Sequence, residues 1–96
     1  SKEDTSNQNE ANENVNTYDS QKQQRREQRK LERLIENCEV KIETFENEIA
    51  RIDEQLTQPD VFNNPDKASL LANQKLETEQ KLEQVMLEWE NLQENI

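Results

Sequence analysis

Glycine and histidine are both absent from this sequence, and each absence removes a class of function. Without glycine there is no phosphate-cradling loop of the kind nucleotide-binding folds use, and sandwiches or barrels lack the turn residues they need at every corner. Without histidine there is no Ser-His-Asp triad and no common zinc site. The single cysteine, Cys38, cannot close an internal disulfide or share a metal with a second thiol, which fits a reducing, cytoplasmic setting. Apolar residues make up only 29% of the chain, too few for a thick core. No stretch approaches the roughly 18 apolar residues of a membrane span, and no signal-peptide core is visible at the N-terminus. Long helices and disorder are what remain.

What is present falls into three stretches. Residues 1–20, SKEDTSNQNEANENVNTYDS, hold only Ala11, Val15 and Tyr18 as apolar or aromatic side chains and show no periodicity. They read as a disordered linker, since ordering them brings no burial to offset the lost backbone entropy, with Tyr18 as an alternative docking residue. The chain opens at Ser1 without methionine, and it reads as a piece of something longer.

From Leu31 onward the pattern changes. Leu31, Ile35, Cys38, Ile42, Phe45, Ile49, Ile52 and Leu56 follow one another at alternating steps of four and three, the heptad spacing that keeps one helix edge against a partner helix. Pro59 stops this helix near Leu56, because proline has no backbone N–H to donate and disfavours helix in the residue before it. Asn64 then reads as an N-cap, Pro65 as the first helical residue and Asp66 as a carboxylate near the positive end of the helix dipole. Ala68, Leu71, Lys75, Thr78, Leu82, Val85, Trp89, Leu92 and Ile96 repeat the same steps. The expected fold is therefore all-α: an antiparallel two-helix coiled-coil hairpin behind the linker, with one helix over about 21–56, a turn over 57–64 and a second helix over about 65–96.

Folding back about the turn sets Phe45 opposite Thr78, Ile35 opposite Trp89, and Lys75 near Ile49 as a polar interruption that specifies register at some cost in stability. Cys38 reads as a small buried hydrophobe rather than a reactive thiol, and Trp89 as core whose indole N–H needs an acceptor or the surface. Val61 and Phe62 either seal the turn end of the seam or form a small apolar tip. The 22 acidic residues read as solvated faces, because acid–base catalysis needs carboxylates in a desolvated cleft and a two-helix hairpin has none. The chain is not expected to be an enzyme or to hold a metal.

One cluster breaks the acidic trend. Lys22, Arg25, Arg26, Arg29, Lys30 and Arg33 lie along one side of the first helix, away from the seam. Residues 22–33 carry six basic and two acidic side chains, a net +4, whereas residues 34–96 carry five and fifteen, a net −10. Such a stripe can contact successive phosphates, with arginine suited to paired hydrogen bonds. Alternatively it solubilises the helix start and pairs with Glu27, Glu32, Glu36 or, across the hairpin, Glu88, Glu90 and Glu94.

The arginine-rich start RREQRKLERLIE, the turn QPDVFNNPDK and the closing Trp89, Glu90 and Leu92 together resemble the C-terminal domain of ABC-F proteins, soluble ATPases with duplicated ATP-binding cassettes, especially their Uup-like branch. The resemblance runs from about Arg25 to Ile96. It implies a parent that uses ATP and magnesium in cassettes outside this chain, works in the cytoplasm on ribosomes, and carries this hairpin as a non-catalytic arm without a cofactor of its own. It implies contact with nucleic acid, ribosomal RNA or DNA, at Lys22, Arg25, Arg26, Arg29, Lys30 and Arg33. The rival expectation is a structural coiled coil that docks on the parent cassettes or a protein partner and ignores nucleic acid.

Overall fold

The computed structural model describes the backbone of residues 2–95 and the side chains of residues 17–95. It contains three helices, α1 (Lys2–Leu56), α2 (Pro59–Phe62) and α3 (Pro65–Glu94), and no strand among the described residues. The chain divides into two compact units, Ser1–Arg33 and Leu34–Ile96.

The second unit is the hairpin. From Ile35 to Leu92 the heptad positions are all buried or half-buried, and every other residue of α1 and α3 in that span is exposed. The pattern of fours and threes thus becomes a single covered seam. Ile35, Cys38 and Ile52 are its most buried apolar residues, and Thr78, 6% exposed, is the one buried polar side chain among the described residues. Thr78 fits because its hydroxyl donates to the carbonyl of Gln74 one turn back at 2.9 Å, so no hydrogen-bonding capacity is stranded.

Lys75 also keeps its place in the seam and is half-buried. Its ammonium, however, reaches Asp53 Oδ1 on the facing helix at 2.6 Å, one turn nearer the reversal than Ile49. An apolar stem on the seam with a charged head at its margin satisfies both solvation demands of the side chain. The hydrogen bond to Asp53 raises the lysine pKa, outweighing the desolvation that would lower it.

The reversal needs no glycine because no described residue adopts positive φ. Thr57 closes α1 by donating both its N–H, at 3.1 Å, and its hydroxyl, at 2.6 Å, to the carbonyl of Glu54. Pro59 then starts the short α2, a helix not evident from the sequence pattern, with Gln58 accepting from the N–H groups of Val61 and Phe62 at 3.0 and 2.9 Å. Asn64 is extended, with φ −114° and ψ 99°, and its side chain accepts from the N–H of Lys67 at 3.3 Å. Pro65 follows where a missing N–H costs nothing. Two prolines, one amide cap and one short turn of helix therefore do what a left-handed glycine often does.

Composition favours a helix start near residue 21, yet α1 begins at Lys2, and residues 17–20 are exposed helix. No proline or glycine lies before Pro59, and extending a helix that has already nucleated costs little per residue. The expected linker over residues 1–20 falls largely on residues 1–16, whose side chains lie outside the described residues.

Seam packing should outweigh capping in holding the hairpin together. Ile52→Ala is expected to cost about 2–5 kcal/mol and Asn64→Ala about 1 kcal/mol, both measured by urea unfolding followed through helical circular dichroism. The opposite ranking would contradict a seam-held hairpin.

Candidate nucleic-acid interface

The six cations of the stripe lie in the first unit, and all are exposed. At 1.5 Å of rise per residue, Lys22 to Arg33 covers about 16 Å of helix. The side-chain bonds around them leave their charges free. Gln23 donates to Glu27 at 3.3 Å and Gln28 donates to Glu32 at 3.5 Å, so the two carboxylates inside the stripe are engaged by neutral amides. Arg29 Nε donates to the carbonyl of Arg25 at 3.4 Å, which holds its guanidinium along the helix. Among the described residues of this unit, Glu27 and Glu32 form no ion pair with the cations. The intrahelical pairing that the sequence permits is thus not made at these two carboxylates.

Other candidate residues sort themselves by burial. Cys38 is 3% exposed, and its thiol pKa is pushed up first by burial and then by the nearby carboxylate of Glu88, against a smaller opposing effect from Lys41. A protonated, covered thiol is a poor nucleophile and a poor metal ligand. Among the described residues no group of three or more His, Cys, Asp or Glu is placed to hold a metal ion. None of the described helices is long and apolar enough to cross a membrane.

At the turn the two apolar residues divide the roles expected of them. Val61 is half-buried, while Phe62 is 55% exposed. Trp89 is half-buried as a seam residue, but its indole Nε1 is buried without an acceptor. Tyr18 is exposed.

A family model, the ABC transporter C-terminal domain, matches residues 20–94. The chain belongs to that family. The match takes in both the basic stripe and the hairpin, so the two features that stand out in this ABC C-terminal domain both lie within the family's span. Comparison with curated proteins and with solved structures finds no match.

The covered state of Cys38 has a direct readout. Iodoacetamide should label the folded domain roughly tenfold or more slowly than the urea-unfolded chain at the same pH. Equal rates would mean that the seam is open at Cys38.

Proposed function

We propose that this domain is a non-catalytic arm of an ABC-F ATPase that contacts nucleic acid, as ribosomal RNA or DNA, through Lys22, Arg25, Arg26, Arg29, Lys30 and Arg33. The observation that carries the reading is the set of six exposed cations on one helical stretch, whose own carboxylates, Glu27 and Glu32, are held by glutamines. A stripe of this kind gains affinity by displacing counterions from phosphates, and arginine adds paired hydrogen bonds to phosphate oxygens. The rest of the chain, at net −10 over residues 34–96, repels polyanions, so the contact is confined to the stripe. On this reading the arm works in the cytoplasm, takes no cofactor, and leaves ATP and magnesium to the cassettes of its parent.

A second reading rests on Phe62, whose ring stands largely exposed at the turn. There the arm docks by its tip on the parent cassettes or on another protein, and nucleic acid plays no part.

Salt dependence separates the two. Titration of the whole chain with duplex DNA, single strands and structured RNA at two salt concentrations should show binding that weakens steeply with salt. Replacing Arg25, Arg26 and Arg29 with glutamate should lower affinity and flatten the log–log salt slope by about 2–3 on duplex. Unchanged affinity in that variant removes the role from the stripe. Salt-insensitive association lost in Phe62→Ala would favour the tip instead.

A further inference from the structure

The hairpin carries a second charged surface whose composition its own fold does not explain. One groove runs between the helices and is lined by Glu39, Ile42, Glu43, Glu46, Met86 and Trp89. Another lies on α3 and includes Glu79, Glu83 and Glu90 with Met86 and Leu87. Met86 belongs to both, so the two form one surface bordered by six glutamates; the cation nearest to it, Lys75, is held by Asp53 and acts on Glu79 at one end only.

Heptad geometry makes this arrangement costly. Glu39 and Glu46 directly follow seam residues of α1, and Glu79 and Met86 directly follow seam residues of α3. These are flanking positions, where coiled coils usually place opposite charges. Register sets Glu46 and Glu79 in the same layer, like facing like. The opposite flank mixes signs, with Lys41, Glu48, Lys81 and Glu88 directly preceding seam residues. The glutamate flank therefore weakens the hairpin taken alone.

The floor of this surface is apolar and open. Met86 is 44% exposed and Leu87 55%, beside the half-buried Ile42 and Trp89. Methionine adapts its shape to incoming side chains and is enriched at binding surfaces.

The geometry points to a docking site for a cationic amphipathic helix of a partner protein. Its lysines and arginines would meet the two rows of glutamates, and its apolar face would cover Met86, Leu87 and the edge of Trp89. A helix fits because a groove between two helices is the place where a third packs, turning a half-covered seam into a three-helix core. Nucleic acid is excluded from this surface by charge. A second copy's residues 22–33 match it in charge, but their one apolar residue, Leu31, cannot fill the floor. The site shares no residue with the Lys22–Arg33 stripe and stands or falls separately from it.

A synthetic 18-residue helical peptide, with leucine on one face and lysine on the other, serves as the probe against the full chain, read by calorimetry. Saturable 1:1 binding is expected. It should weaken tenfold or more when Glu39, Glu43 and Glu46 are replaced by lysine, and also in Met86→Glu, while Met86→Leu and the Arg25, Arg26 and Arg29 reversal retain it. Circular dichroism identifies any variant that loses helicity; Glu83→Lys, on the outer margin, then takes its place with the same expectation. A scrambled peptide of equal charge binding as tightly would overturn the proposal, as would affinity unchanged in the lysine variants. So would sedimentation showing that the chain dimerises and that the lysine variants dissolve the dimer, since the surface would then belong to a second copy.

Discussion

Two helices laid antiparallel can cover only one stripe of each other, and that limit governs what the hairpin can do. Its seam alternates by four and three from Ile35 to Ile52 on α1, and the same rhythm returns along α3. Among the described residues Ile35, Cys38, Ile52 and Thr78 are the most deeply covered, each still 3% to 6% exposed. The rest of the seam is half open because nothing lies on its flanks. Among the described residues every aspartate and glutamate is left exposed on a helix face or at the turn. What the described residues of the hairpin present is surface: charge, exposed apolar side chains, and their spacing along a helix.

The reversal shows how a sequence without glycine still turns sharply. At the end of α1 the carbonyls of Glu54 and Gln55 accept from the N–H groups of Thr57 and Gln58, and Asn64 accepts from the N–H of Lys67 at the start of α3. The two prolines sit where they donate nothing that the helix starts require, as residues 59 and 65. Val61 is half-buried while Phe62, its neighbour along the short α2, is largely exposed. Adjacent residues on one helical turn thus differ in how far they are covered.

Most of the hairpin is legible from spacing because a heptad is a strict geometric filter. Leu56 as the end of α1 and Asn64 as the cap of α3 follow from proline chemistry alone. The features that escape are those set across the seam rather than along it. Asp53 as the partner of Lys75 depends on a diagonal between facing layers, and a side chain as long as lysine can choose among several. The missing acceptor at Trp89 depends on rotamer, which no periodicity encodes. The glutamate flank was visible residue by residue, but only register brings Glu46 and Glu79 into one layer. Of the basic stripe, sequence gives the residues and their common helix side; which carboxylates stay unpaired from them depends on the glutamines at 23 and 28, whose competition for Glu27 and Glu32 composition does not reveal.

Charge is distributed along this chain in a way that restricts how a polyanion could meet it. At physiological salt a surface charge acts over about 8 Å, so a stripe about 16 Å long responds to what touches it and little else. Residues 34–96, net −10, cannot extend such a contact, and a nucleic acid lying along the hairpin would meet the glutamate rows at Glu39, Glu43 and Glu46. The same carboxylates that oppose adsorption of a phosphate backbone attract a cation-bearing protein surface. Acidic flank and basic stripe therefore discriminate by sign. On the two proposed readings, two classes of partner would be told apart by exposed charge spaced along a helix alone.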